Sequence, residues 1–295
     1  MSEPLSQHII PKIDWLRSIL STNRNLLLFL ALILFVGGTM ISVQSLELTW
    51  SKLRWSAIFT LLFLLVPISL IYGAVNMMVL ARSAGLRLSF ATSLRISSFA
   101  QLAEFLPVPG GAIVRGGFMM QHGVQAKSAF MHVVVNALLW VLLSAAAAGI
   151  AISAFSPIGF FLVTLGGIGA AACAIWIWRV SHIGLALAAF GVRIFGLLLV
   201  GLRVFAAFTA LNFSMSLLGV YPFAFASILG SASSLAPGGL GVSEALSAVI
   251  ATAIEVSPSA AFLAVGIDRI CGLVVSGIAS GFFTITKTQG AAEDA

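Results

Sequence analysis

Two Pro-Gly-Gly breaks lie inside apolar sequence that would otherwise read as unbroken spanning helix. The first is Leu106-Pro107-Val108-Pro109-Gly110-Gly111-Ala112-Ile113-Val114-Arg115. The second is Leu235-Ala236-Pro237-Gly238-Gly239-Leu240-Gly241-Val242-Ser243-Glu244. Proline lacks a backbone N–H and clashes with the preceding turn, and glycine is a poor helix former. At membrane depth, irregular backbone survives only where protein buries it or where it lines a water-filled cavity. Paired breaks in the two halves of a hydrophobic chain point to the binding site of a transporter.

The surrounding composition is that of a membrane protein. Hydrophobic residues make up 60% of the chain and charged residues 8%, against about 25% charged in soluble domains. The net charge of +6 comes from Lys and Arg scattered at the ends of apolar runs. That pattern carries topology and argues against nucleic acid as a partner. Cys173 and Cys271 both fall in apolar runs and read as small core residues, not as zinc ligands or a disulfide. The first apolar run is long and no A-x-A-like site follows it, so no cleaved leader is expected.

Six runs are long enough to cross a hydrocarbon core of about 30 Å: residues 26–43, 53–80, 128–155, 158–178, 194–218 and 259–286. Pro67 interrupts the second in composition, and 179–193, with Arg179, His182 and Arg193, reads as a surface helix before the fifth. Residues 9–20 read as an amphipathic surface helix or a frayed tail. Around each break lie two pieces too short to cross alone, 88–106 with 112–120 and 222–236 with 240–255. Each pair reads as a hairpin that enters and leaves on one side. The expected fold is therefore all-α, a polytopic bundle of about six full spans plus two re-entrant hairpins. Residues 1–24 form an N-terminal cytoplasmic segment, 25–287 a single transmembrane domain and 288–295 a polar tail. The halves are 25–156 and 157–287; three crossings in each make the second an inverted repeat of the first. Phe130 and Asn136 in one half share their spacing with Phe262 and Asp268 in the other.

Lys12, Arg17 and Arg24, then Arg82, Arg87 and Lys127, then Arg179 and Arg193, then Lys287 all fall on one side of this plan. The positive-inside rule makes that side cytoplasmic, with both termini there, in a multi-pass plasma (bacterial inner) membrane. The opposite loops carry Glu47, Lys52 and Arg54.

The breaks also suggest chemistry. Each second half-helix starts just after a Gly-Gly, with unpaired N–H groups and a positive dipole end. Such an end accepts an anion, and glycine lets the anion approach the backbone. The expected binding set is Pro109, Gly110, Gly111 and Arg115 at the first tip, and Pro237, Gly238, Gly239, Gly241 and Glu244 at the second, with Arg269 from the last span. Arg115 suits a phosphate by bidentate hydrogen bonding. Glu244 either serves an amine headgroup or a coupled proton, or forms an ion pair with Arg269 or Arg115. Asp268 is expected to neutralise Arg269, and Glu104 either faces the same cavity or caps the hairpin. Asn136 and Asn212 read as interhelical hydrogen-bonding residues within spans, and 145–149 and 166–172 as small-residue packing faces.

The second break resembles the P-G-G-x-G-x-x-E signature of the lysylphosphatidylglycerol synthase transmembrane (flippase-like) family, through Pro237-Gly238-Gly239-Leu240-Gly241-Val242-Ser243-Glu244. Gly111-Ala112-Ile113-Val114-Arg115 is similar to that family's first-half G-E-x-x-R element, with Ala112 where the family commonly has Glu. Arg269 matches a family arginine in placement, and the order of spans and hairpins covers nearly the whole chain. The resemblance implies lipid translocation without the aminoacyl-transferase activity of larger members. The substrate it implies is a membrane phospholipid or lipid-linked headgroup, with no cofactor.

No H-E-x-x-H, G-x-S-x-G or P-loop pattern occurs, and the expectation is a non-enzyme with neither catalytic residues nor a metal site. Two other readings fit the same plan. One is an inverted-repeat transporter of ions or small solutes; the other is a non-catalytic membrane subunit of an envelope-biosynthesis pathway. Self-association into a homo-oligomer is compatible with each.

Overall fold

A computed structural model describes residues 24–104, 109–233 and 239–293. The tip residues Leu106, Pro107, Val108, Pro237 and Gly238 lie outside the described residues, as does the surface helix expected over 9–20. Ten helices carry the architecture of the described residues: α1 (Arg24–Ser45), α2 (Trp55–Ser83), α3 (Phe90–Ala103), α4 (Gly110–Gln121), α5 (Ala126–Ile152), α6 (Ile158–Val180), α7 (Ile183–Ala210), α8 (Tyr221–Ala232), α9 (Val242–Ala253) and α10 (Pro258–Glu293). There is no strand among the described residues.

Five of these, α2, α5, α6, α7 and α10, are long and apolar enough to cross a membrane, and α1 adds a 22-residue helix. Phe63, Phe160, Phe161, Ile168, Leu187 and Ile278 are exposed on their outer faces, as lipid contact demands. The protein is an all-α multi-pass membrane bundle. The short helices have 14, 12, 12 and 12 residues. At a rise of about 1.5 Å per residue they reach only about 18–21 Å, well short of a bilayer core.

The element order repeats: two long helices, two short, one long, then the same again. Packing follows the repeat. The first hairpin's α3 lies on α10, and the second hairpin's α8 lies on α5. Likewise α1 packs on α10 and α6 on α5, while the counterparts α2 and α7 meet each other. Each half thus closes on the last span of the other.

Small residues make these contacts close. A Cβ added at Gly149 would lie 2.7 Å from the Gly159 carbonyl, and one at Gly166 2.5 Å from the Leu142 carbonyl. The runs 145–149 and 166–172 are thus the α5–α6 seam, as small residues at membrane helix interfaces allow. Pro67 does not end its span. The turn just before it widens into a π-helical stretch, Leu61–Leu65, and the helix resumes at Val66. The wider turn accommodates the missing N–H and the clashing ring.

Two boundaries differ from expectation. Helix α7 begins at Ile183 and ends at Ala210, so 183–193 is membrane helix instead of a surface segment. Arg193 therefore leaves the cytoplasmic positive-charge set and is buried. Asn212, expected within a span, sits in the turn after α7 with φ +59° and donates through Nδ2 to the Lys52 carbonyl. The Arg54 N–H donates to the Ala210 carbonyl at 2.9 Å, tying the α1–α2 loop to the same membrane end.

Candidate functional site

The second hairpin is locked from inside. Gly239 and Gly241 hold φ of +73° and +76°, a region that side chains disfavour, and turn the chain into α9. A Cβ at Gly241 would lie 2.5 Å from the Ala31 carbonyl of α1. Glu244 then falls in the first turn of α9 and is fully buried. Glu244 stands three residues after the Gly241 N-cap, so its carboxylate belongs to the turn where the helix dipole is positive. The positive start of α9 is thus occupied by the chain's own anion. Arg269 Nη1 stands 3.2 Å from Glu244 Oε1, with its side chain 6% exposed. Its Nη2 donates to Ser243 Oγ, which donates to the Ser227 carbonyl of α8 at 3.3 Å. One ion pair therefore fastens both arms of the hairpin to α10.

Asp268 does not neutralise Arg269 by direct contact. It accepts from Arg203 of α7 in a fork, Nε to Oδ1 at 2.8 Å and Nη2 to Oδ2 at 3.1 Å. Arg203 Nη1 also donates to Ser69 Oγ of α2 at 3.3 Å. Successive residues on a helix point about 100° apart, so Asp268 and Arg269 serve different neighbours.

The first hairpin is more open. Gly110 and Gly111 are buried; a Cβ on Gly111 would lie 2.7 Å from Glu104 Cγ and 3.0 Å from the Ala100 carbonyl. The two glycines let α3 and α4 touch. Pro109 precedes α4 as its N-cap and is exposed. Arg115 Nη2 donates to Glu104 Oε1 at 3.1 Å, with side chains 25% and 42% exposed. Glu104 therefore pairs across its own hairpin, and Arg115 stands with it instead of with Glu244. Gln101 of the same arm accepts from Ser276 Oγ of α10 at 2.7 Å.

Arg193 is the residue that the sequence reading missed. Ten residues into α7, it is 7% exposed. Nη1 donates to Tyr72 Oη at 2.8 Å, Nη2 donates to the Asn136 carbonyl at 3.0 Å, and the guanidinium sits 5.0 Å from the centre of the Trp140 ring. Nε has no partner among the described residues. Each of the other three interior arginines has a carboxylate within 4 Å: Arg115 with Glu104, Arg203 with Asp268, Arg269 with Glu244. Arg193 has none among the described residues.

The two arginines of α7 meet residues of the shared Phe130–Asn136 and Phe262–Asp268 spacing, Asn136 and Asp268, in different ways. Asn136 on α5 and Asp268 on α10 occupy corresponding places, and each meets an arginine of α7. Arg203 finds the Asp268 carboxylate there, whereas Arg193 finds the backbone carbonyl of Asn136. An apolar groove of about 340 Å³ lies beside this arginine, lined by Ile68, Ile71, Tyr72, Val75, Val192 and Phe195. Ile71, Val75 and Phe195 are exposed on the bundle's outer surface. No three His, Cys, Asp or Glu side chains converge among the described residues. Searches of protein-family models, curated proteins and solved structures found no match to the chain.

Proposed function

We propose that this membrane protein translocates lipids with an anionic headgroup, acting as a transporter and not as an enzyme. The observation that carries the reading is the guanidinium of Arg193, inside the bundle and without a carboxylate among the described residues. A charge at this depth costs about 2.5–3.5 kcal/mol on insertion scales, and intramembrane ionisable residues mark substrate pathways. A headgroup phosphate would supply the missing counter-charge, and a guanidinium matches it by paired hydrogen bonds. The groove beside Tyr72 gives the attached acyl chain an apolar track open to the bilayer, which favours a lipid over a free solute. Arg115 with Glu104, the more exposed pair at the first hairpin, is the second contact point, where a zwitterionic headgroup can exchange with either partner. Resemblance of the second break to the flippase-like family supports the same conclusion.

The test is reconstitution into vesicles holding headgroup-labelled phosphatidylglycerol or phosphatidylcholine, with leaflet exchange followed by chemical quenching from outside. The protein should exchange phosphatidylglycerol at least tenfold faster than empty vesicles, and Arg193→Met should return the rate to baseline. Baseline exchange of both lipids, with uptake of small anions instead, would overturn the lipid reading.

A further inference from the structure

At the membrane end where α2 and α6 finish and α5 and α7 begin lies a second cavity, of about 660 Å³. The α2–α3 turn supplies Arg82 and Arg87, α5 supplies Ser128 and His132, and the α6–α7 joint supplies Ser181 and His182. No acidic side chain lines it among the described residues. Lys127 and Arg179 are the sequence neighbours of lining residues and add to the same positive end.

We infer that this cavity is a binding site for the phosphate of an anionic phospholipid, with a lining that shares no residue with the groove beside Tyr72. Three observations converge. The first is charge: two arginines line the space, with no carboxylate in its lining among the described residues. Basic pockets between membrane helices are where anionic headgroups bind. The second is donor geometry. His182 caps α7 by accepting the Leu185 N–H on Nδ1 at 3.3 Å, so its neutral ring carries its proton on Nε2 and retains a donor there. The positive end of the 28-residue α7 opens at the same place. Third, the wall is lipid-facing. Val180 lines the cavity and is exposed, and Trp178, Ile183 and Leu187 continue that exposed apolar surface along α6 and α7. An acyl chain can lie there while its headgroup fills the cavity. His132 forms the buried floor, held by its Nδ1–H donating to the Ser128 carbonyl at 2.8 Å and set edge-on to Trp176 at 5.1 Å.

Arg82, Arg87 and His182 are exposed, so substituting the arginines leaves the packed interior alone. The experiment is equilibrium binding, without transport, by native mass spectrometry of the whole detergent-solubilised protein. The probes are short-chain phosphatidylglycerol, short-chain phosphatidylcholine and inorganic phosphate. Arg82→Gln with Arg87→Gln is compared with Lys52→Gln with Arg54→Gln at the opposite end. Phosphatidylglycerol should bind in preference to phosphatidylcholine, with affinity at least tenfold weaker in the Arg82/Arg87 variant and unchanged in the Lys52/Arg54 variant. Inorganic phosphate binding as tightly as the lipid, with the same dependence on Arg82 and Arg87, would retain the phosphate site and assign it to a free anion. Binding of every probe unaffected by the Arg82/Arg87 substitutions would overturn the site. Because only binding is read, failure here leaves the transport reading intact, and a protein that does not translocate can still pass.

Discussion

Arg203 and Arg193 lie on one helix, ten positions apart, and their different partners lead to opposite expectations. Arg203 neutralises Asp268, whose side chain is 7% exposed. Replacing it with Met would strand a buried carboxylate, a change that costs about 3–5 kcal/mol when a buried pair is broken from one side. Arg193 neutralises no carboxylate among the described residues. Its replacement by Met removes a charge that the fold must desolvate, at the loss of hydrogen bonds to Tyr72 and Asn136. Arg193→Met should therefore unfold within a few degrees of the wild type in detergent, while Arg203→Met should unfold far earlier. Thermal unfolding of the two variants side by side checks this. Equal, large losses in both would make Arg193 a structural anchor.

At the scale of elements, the hairpins depend on close backbone approach. Gly241→Ala would need a Cβ at φ +76° and 2.5 Å from the Ala31 carbonyl. Such a change should cost several times the ordinary glycine-to-alanine effect of about 0.4–1 kcal/mol, with reversed sign. Loss of the folded monodisperse protein in size-exclusion chromatography is the expected readout, while Gly277→Ala on α10, which meets nothing within 4 Å, should behave as wild type. The short arms, the spans and the α5–α6 seam could be read from the sequence because hydropathy, helix breakers and small-residue runs are local properties. Arg193 could not. A charge in an apolar run looks like a boundary until Tyr72, Asn136 and Trp140, remote in sequence, are known to surround it. The division between Asp268 and Arg269 escaped for a related reason: adjacency in sequence suggested a pair, and helical geometry separates them. Glu244 with Arg269 was foreseen as one alternative because both interrupt apolar runs and carry opposite charge.

At the scale of the whole molecule, charge distinguishes the two ends. Arg82, Arg87 and His182 gather round one cavity at one end, while Lys52 and Arg54 meet the end of α7 at the other, with Glu47 beside Lys52. The positive-inside rule predicts a cytoplasmic position for the cavity end. Single cysteines at Arg87 and Lys52, introduced into a variant lacking Cys173 and Cys271, should react with a membrane-impermeant maleimide on opposite sides. In intact cells Lys52→Cys should label and Arg87→Cys should label only after lysis; the reverse order would invert the orientation and place the cavity outside.

The position of Arg193 along α7 also has an electrical consequence. Ten residues of helix put it about 15 Å from the cavity end, near the middle of a bilayer core. An anion moving from the cytoplasmic face to meet it would cross about half the transmembrane voltage. Moving a full elementary charge through 100 mV is worth about 2.3 kcal/mol, so this half-journey is favoured by about 1 kcal/mol when the interior is negative. Loading from inside should accordingly strengthen roughly fivefold per 100 mV, and the second half of the path should be driven by the same field. On the proposed function, a mid-depth cation with no carboxylate partner among the described residues would couple outward anion movement to membrane potential without any titrating group.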